Sequence, residues 1–262
     1  MAENPYAAPR TRVEDVTTPL AEGDFIPEGR GVPAGNGWRW ITDAWDLMAG
    51  QRWTFIGVVL LYWVMILAAS FVPGLGGLAV ALFGPVISGG ILLGCDAVAR
   101  GKSLEVGFLF AGFQRHFGKL VAVGAVSLGL GLLIAIVMVA ILGFSFAGMF
   151  FGVTEPNPEQ IVSMGLTFVL AILVALAISI PVYMCLWFAA PLIVFEDVDV
   201  GTALKSSFAA CLKNIVPFLI WGVMTLLLSI PATIPLMLGW LLLGPVLMVS
   251  VYTGYRDIYY ET

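Results

Sequence analysis

Long, nearly uncharged apolar segments occupy most of this chain and constrain its fold more than any other feature. They cover about residues 53–72, 76–97, 119–152, 161–195, 215–231 and 235–255. A helix needs about 20 apolar residues to cross a bilayer, so each segment predicts one crossing. The two longest segments exceed one crossing, which predicts kinks at Pro181 and Pro191 or a hairpin that projects outside the membrane near residues 150–162. We therefore expect an all-α membrane protein with six transmembrane helices.

The scarcity of charge excludes the main soluble classes. Of 262 residues, 60% are apolar and only 11% are charged, against about 25% charged in soluble domains. No basic patch supports nucleic-acid binding. Cys95, Cys185 and Cys211 have no paired spacing, and His116 is the only histidine. We expect no disulfide framework, no metal, no cofactor and no enzymatic activity, because none of their residue patterns is present.

The N-terminal segment has a different composition from the rest. Residues 1–36 contain five prolines and many charged residues, and no long apolar stretch follows Met1. Such a segment buries too little apolar surface to offset the entropy of ordering. We expect a disordered tail over residues 1–36, no cleaved signal peptide, and a transmembrane domain over residues 37–262.

The basic residues predict the orientation of the chain. With six crossings, all twelve Lys and Arg residues lie on the side of the two termini. The opposite loops carry only Glu155 and Glu159 as charged residues. Since loops rich in Lys and Arg stay in the cytoplasm, we expect a multi-pass protein of the bacterial inner membrane with both termini cytoplasmic.

A short, partly polar stretch precedes each pair of apolar segments. Residues 41–54, 104–117 and 202–215 align without gaps. In this alignment one apolar position and one basic position coincide, held by Leu47, Phe110 and Phe208 and by Arg52, Arg115 and Lys213. We expect three repeats of an interfacial amphipathic helix plus a helical hairpin, over about residues 38–100, 101–197 and 198–262. The alternative is a chance alignment of short apolar segments.

The third unit, PLIVFEDVDVGTALKSSFAACLKNIVPFLIWG, resembles a signature of YciC-like bacterial inner-membrane proteins and of the membrane domain of some glycerophosphodiester phosphodiesterases. In that group a proline-ended span leads to an acidic turn, an Ala-Leu-x-x-Ser helix and a basic residue. The matching residues are Pro191, Asp197, Asp199, Ala203, Leu204, Ser207, Lys213 and Asn214. The resemblance implies an uncharacterised six-span family with cytoplasmic amphipathic helices. It implies no phosphodiesterase activity, because that soluble domain is missing.

Candidate contact residues cluster at the predicted cytoplasmic boundary. Tryptophan favours the membrane–water interface, and basic side chains can contact anionic headgroups. We predict lipid or partner contacts at Trp38, Trp40, Trp45, Arg52, Arg100, Lys102, Arg115, His116, Lys119 and Lys213. The alternative for the basic residues is that they only set the orientation, and Asp96 is expected to pair with Arg100.

Prolines and glycines inside the apolar segments suggest two further roles. Pro85, Pro181 and Pro245 are predicted helix-break sites, which can form binding sites in transporters; the alternative is kinks that serve packing. Gly90 and Gly94 have the spacing of a close helix contact. That contact is expected within the chain, with a homo-oligomer seam as the alternative.

Two functions fit these patterns. The first is a non-enzymatic inner-membrane accessory, assembly or envelope-homeostasis factor that acts on lipids or on membrane-protein partners. The second is a transporter or flippase-like protein for a small or lipidic substrate. The first is favoured because no ionisable residue lies in the middle of a predicted span, where coupling to protons would require one.

Overall fold

The structure, a computed structural model, describes residues 23–151 and 158–261. Within these ranges the chain is all-helical, without β-strands apart from one isolated bridge between Phe25 and Tyr260. A 3₁₀ turn, Val106–Phe110, precedes the fourth helix. The α-helices are α1 (Asn36–Leu47), α2 (Arg52–Ser70), α3 (Leu75–Ala99), α4 (Ala111–Gln114), α5 (Phe117–Phe151), α6 (Pro158–Trp187), α7 (Ala189–Glu196), α8 (Val200–Lys213), α9 (Ile215–Thr233) and α10 (Trp240–Tyr259).

Five helical segments of the described chain are long and apolar enough to cross a membrane. They are Arg52–Ser70, Leu75–Ala99, Phe117–Gly143, Ile161–Glu196 and Ile215–Thr233. The predicted tip of the hairpin between α5 and α6 falls partly on residues 152–157, outside the described residues. The helices therefore confirm a membrane-spanning, all-α architecture.

The last helix differs from the predicted sixth segment. The predicted start at residue 235 is wrong, because α10 begins at Trp240. Residues 234–239 form turns, in which Leu236 and Met237 adopt positive φ angles. Pro235 cannot donate a backbone hydrogen bond, which favours the end of α9 here. The last two turns of α10 are rich in tyrosine and carry charged side chains, so the helix is less apolar than the other five segments.

The predicted helix breaks at three prolines are also wrong. Pro85 lies inside α3, Pro181 inside α6 and Pro245 inside α10, and each helix continues past its proline. A proline removes one hydrogen bond from the helical ladder, and the residues on either side can keep theirs. The break in the fourth apolar segment instead lies at Phe188, between α6 and α7 and three residues before Pro191.

A buried serine from another helix caps that break. The Phe188 backbone N–H donates to Ser207 Oγ over 2.9 Å, and Ser207 Oγ donates to the Met184 carbonyl over 2.6 Å. These are the two backbone groups that a continuous helix would join to each other. Ser207 is fully buried, so α8 supplies the missing link of the interrupted helix. The serine of the Ala-Leu-x-x-Ser pattern thus has a structural role.

Substitution of Ser207 by alanine should destabilise the protein. The buried Phe188 N–H would lose its partner, and the Met184 carbonyl would keep only the weak donor Cys211 Sγ at 3.6 Å, at a cost of about 1–3 kcal/mol. Thermal unfolding in mild detergent should show a clear drop in Tm. Ser229→Ala, which removes an exposed serine that bonds only within α9, should leave Tm nearly unchanged. An equal Tm for both variants would contradict the capping role.

Glycines bring the short helices α1 and α4 into close contact with the membrane-length helices α9 and α3. A Cβ atom on Gly37 of α1 would lie 2.0 Å from the Pro217 carbonyl oxygen of α9, and one on Gly112 of α4 would lie 2.0 Å from the Val86 carbonyl oxygen of α3. Gly90 of α3 faces the Phe108 carbonyl oxygen in the same way, at 2.2 Å. These glycines allow backbone-to-backbone contact. Gly90 thus serves packing within the chain.

The segment before α1 is packed against the end of α10. The Ile26 N–H donates to the Tyr259 carbonyl over 2.9 Å, and the Arg30 N–H donates to the Ile258 carbonyl over 2.8 Å. Lys213 Nζ donates to the Gly29 carbonyl over 3.0 Å. The predicted disordered tail over residues 1–36 is therefore wrong for residues 23–35. Residues 1–22 of that tail lie outside the described residues.

The buried core lies at one end of the helices. Buried side chains come from the first turns of α2, α5 and α9, the second half of α3, most of α7, and α10 from Val246 onward. By contrast, the most apolar window of Phe117–Gly143 has no buried residue, and that of Ile161–Glu196 is 6% buried. The short helices therefore complete a packed core at one end, while the other ends expose apolar surface to lipid.

Candidate functional site

Helix α1 separates two hollows of opposite character. Its apolar face carries Trp38, Ile41 and Trp45, and its polar face carries Arg39 and Asp43, as expected for an amphipathic helix. The polar hollow, here called the polar cleft, has a volume of about 470 Å³. It is lined by Asn36, Arg39, Asp43, Asp46, Leu47, Ala99, Tyr252, Thr253, Arg256 and Asp257.

Asp257 holds the wall of the polar cleft together. Its Oδ2 accepts hydrogen bonds from Trp40 Nε1 at 2.7 Å and from Asn36 Nδ2 at 2.8 Å. Its Oδ1 lies 3.3 Å from Arg30 Nη2, and its backbone carbonyl accepts from Arg30 Nε at 2.8 Å. Asp257 thus joins α1, α10 and the preceding segment, and both oxygens of its carboxylate have partners.

Trp40 belongs to the core rather than to the surface. It is 2% exposed and packs edge-on against the Phe218 ring, with ring centroids 5.1 Å apart. The prediction that Trp40 contacts lipid or a partner is therefore wrong. Trp38 and Trp45 are each 38% exposed, so the helix divides its tryptophans between the core and the surface.

Asp43 and Asp46 face the polar cleft without direct partners. No hydrogen bond or ion pair joins either carboxylate to another of the residues that the structure describes. Partial burial raises the pKa of Asp43, and the neighbouring Asp46 and Asp257 raise it further, while Arg39 opposes this. Loss of hydration is therefore the main cause of this shift, and the charges around Asp43 are of both signs.

The second hollow beside α1, here called the α1 groove, is apolar. It has a volume of about 620 Å³ and lies between α1, α9 and α10. Its lining is Trp38, Ile41, Thr42, Trp45, Asp46, Leu228, Pro231, Ala232, Gly239, Leu242, Leu243 and Val246. Asp46 lines both hollows, so the polar cleft and the α1 groove meet at this residue.

The positively charged side chain of Arg52 lies at the edge of the α1 groove. The Arg52 guanidinium stacks on the Trp45 ring at 4.1 Å from its centroid. Arg52 Nε is buried and has no hydrogen-bond partner among the described residues. A buried N–H donor without a partner is uncommon in proteins, and here it stands beside an apolar groove.

A second apolar groove, here called the α8 groove, lies between α6, α8 and α9. It has a volume of about 630 Å³ and is lined by Ile180, Tyr183, Met184, Trp187, Cys211, Leu212, Ile215, Phe218 and Leu219. Trp187 packs edge-on against Trp221, with centroids 5.1 Å apart. A short helix forms part of the wall of each groove, and both volumes are in the range of small-molecule sites, about 300–1,000 Å³.

The remaining predicted contact residues are spread over several clusters. Arg100 pairs with Asp96 at 2.8 Å, which confirms the predicted ion pair. His116 Nδ1 and Lys119 Nζ each lie 2.8 Å from Asp197 Oδ1. Hydrogen bonding to Lys119 lowers the pKa of Asp197. Lys102 and Arg115 are exposed, so they stay available for headgroups.

Polar residues near the boundary do not converge on one centre. Asp96 accepts a hydrogen bond from Tyr252, His116 pairs with Asp197, and Asn214 binds the backbone of Arg30 and Val32. No three potential metal ligands gather anywhere in the described part of the chain. The contacts of Asp96, His116 and Asn214 are thus structural and separate.

Sequence analysis missed the polar cleft and both grooves. It predicted an amphipathic helix here, but Asp43, Asp46 and Asp257 were not among the predicted contact residues. A signal was present, since Asp43 and Asp46 alternate with Trp38, Ile41 and Trp45 at helical spacing. The surroundings of these side chains depend on α9 and α10, whose position beside α1 cannot be predicted from a local pattern.

Comparison with known proteins agrees with this architecture. The chain is 29% identical over 208 residues to a probable inner membrane protein of Burkholderia thailandensis, across 76% of this chain and 75% of the relative. This is an integral membrane protein. The relative and the five membrane-length helices support an inner-membrane protein. No family model and no solved structure matches the chain, so the resemblance to YciC-like proteins stays a prediction.

Proposed function

We propose that this protein is a non-enzymatic lipid-binding accessory protein of the inner membrane, with six spans and both termini in the cytoplasm. In this proposal the three short helical regions and the hairpins that follow them form three repeats. Lipids bind in the α1 and α8 grooves. The observation that carries the proposal is the pair of apolar grooves, each of more than 600 Å³ and each lined in part by a short helix.

The order of the helices supports the six-span topology. A short helix or 3₁₀ turn precedes each pair of long helices: α1 before α2 and α3, the 3₁₀ turn and α4 before α5 and α6, and α8 before α9 and α10. With α10 as the sixth span, Arg52, Arg100, Lys119 and Lys213 lie on one side. The positive-inside rule then assigns that side to the cytoplasm.

The chemistry of the groove walls supports lipid as the occupant. The α8 groove is lined almost entirely by apolar and aromatic side chains. The wall of the α1 groove is apolar as well, and Arg52 with its unpartnered Nε stands at its edge. An acyl chain can pack against such walls, and a basic side chain at the membrane boundary can bind the phosphate of a lipid headgroup.

Lipid retention in groove-filling variants tests the proposal. Leu242→Trp should fill part of the α1 groove, and Leu219→Trp part of the α8 groove, because both leucines line these grooves and are exposed. After a delipidating detergent wash, native mass spectrometry should show tightly bound lipid on the wild type. Each variant should bind about one lipid fewer, since one groove offers room for about one ligand.

The matched control is Leu227→Trp. Leu227 is 54% exposed on α9 and lines neither groove. This variant should retain as much lipid as the wild type. Equal lipid counts in all four proteins, or none in the wild type, would contradict the proposal.

A second function, lipid translocation, has one observation in its favour. Pro231 lines the α1 groove, and Pro181 lies between two residues that line the α8 groove. Prolines inside spans leave backbone carbonyls without their helical partners, as in some transporter sites. Reconstituted protein that moves labelled lipid between leaflets faster than empty liposomes would favour this function over simple binding.

A further inference from the structure

We propose that the polar cleft and the α1 groove together form one site for a phospholipid whose headgroup carries a primary ammonium. This inference rests on the proposed lipid-binding function and adds a headgroup preference to it. The ammonium would bind Asp43 and Asp46, the phosphate would face Arg39 or Arg256, and an acyl chain would lie in the α1 groove.

The two hollows adjoin in the order that such a lipid requires. Asp46 lines both the polar cleft of about 470 Å³ and the α1 groove of about 620 Å³. The wall of the site therefore changes from apolar to charged at Asp46 of α1. A phospholipid makes the same transition between its acyl chains and its headgroup.

Exposed carboxylates such as those of Asp43 and Asp46 ordinarily form a solvated face of a helix. Here they line a cleft whose other acid, Asp257, is already bonded to Asn36, Trp40 and Arg30. The carboxylates of Asp43 and Asp46 have no bonded partner among the described residues. They are therefore the acids of the cleft that can accept hydrogen bonds from a ligand, and a carboxylate prefers a charged N–H donor.

The cleft also carries cations for the phosphate. Arg39 belongs to the same face of α1, and Arg256 lies on α10 with its guanidinium over the Tyr260 ring at 4.1 Å. A purely anionic headgroup would meet the unpaired carboxylates and be repelled. A headgroup with both an ammonium and a phosphate complements both signs, so charge complementarity favours a zwitterionic lipid.

Competition between lipids with matched acyl chains tests this preference. Purified full-length protein would be offered phosphatidylethanolamine, phosphatidylglycerol and phosphatidylcholine, with native mass spectrometry as the readout. The wild type should prefer phosphatidylethanolamine by about tenfold, or about 1.4 kcal/mol, because its ammonium can donate a charge-assisted hydrogen bond to a carboxylate. Phosphatidylcholine carries the same positive charge on an ammonium without N–H groups, so comparison with it distinguishes hydrogen bonding from charge alone.

Variants assign the preference to the cleft. The double variant Asp43→Asn/Asp46→Asn should lose the preference while still binding lipid, and Asp43→Glu/Asp46→Glu should keep it. Asp199→Asn, which removes a carboxylate of the α7–α8 turn that is 90% exposed, is the control and should behave like the wild type. A parallel arm adds soluble ethanolamine or spermidine as a competitor.

The outcomes separate this inference from the proposed function. Equal binding of the three lipids, or a preference that survives in the double asparagine variant, would overturn the inference and leave lipid binding intact. Loss of all lipid from the wild type would overturn both. Displacement of the lipid by equimolar soluble amine would show that the cleft serves a soluble ligand, and would overturn the lipid assignment.

Discussion

Replacing Trp40 by alanine should be among the most destabilising single changes in this protein. Trp40 is 2% exposed, packs against Phe218, and donates a hydrogen bond to Asp257. Truncation of a buried tryptophan to alanine costs about 3–5 kcal/mol. We expect the loss to appear as a lower denaturation midpoint in a guanidinium titration of the detergent-solubilised protein.

The neighbouring tryptophan provides the control. Trp38 lies on the same helix and is 38% exposed, so Trp38→Ala should cost far less, within about 0.5 kcal/mol as for surface positions. The comparison decides whether α1 is packed through Trp40 or only rests on the membrane surface. Similar midpoints for the two variants would contradict the packed position of α1.

Adding one methyl group to Gly37 should have a comparably large effect. Its Cβ atom would lie 2.0 Å from the Pro217 carbonyl oxygen and 2.9 Å from the Trp221 backbone nitrogen. Because both neighbours are backbone atoms of α9, the strain can be relieved only by moving α1 away. Overpacking of this kind costs about 1–3 kcal/mol or more, and thermal unfolding should show it.

Gly35→Ala is the matched control for this prediction. A Cβ atom at Gly35 has no neighbour within 4 Å, and the residue lies two positions before Gly37. It should leave Tm close to that of the wild type. If Gly37→Ala unfolded at the wild-type temperature, the direct contact between α1 and α9 would be refuted.

The sequence predicted the long helices well because apolar length is a local property. The predicted segments 53–72 and 76–97 correspond to α2 and α3 within a few residues. An amphipathic helix was also predicted before the first pair, over residues 41–54, and it overlaps α1 only in part, because α1 spans Asn36–Leu47. What that helix contacts could not be predicted, because Gly37 and Trp40 meet α9 and α10 from about two hundred residues later.

The errors have related physical causes. Composition predicted disorder up to residue 36, but residues 26–30 form backbone hydrogen bonds with the end of α10, and composition carries no information on such partners. The prolines predicted breaks, yet Pro181 lies within α6. The actual break at Phe188 is stabilised by Ser207, a residue of another helix. Long-range contacts of this kind decide the candidate site as well.

A lipid density map tests the central claim most directly. The measurement is a cryo-electron microscopy structure of the full chain in nanodiscs made from inner-membrane lipids. We expect elongated density in the α1 groove along Leu242, Leu243 and Val246, with its polar end at Asp46, and similar density in the α8 groove along Leu219 and Tyr183. Grooves that are closed by the helices, or filled by a partner protein instead of lipid, would contradict a lipid-binding function.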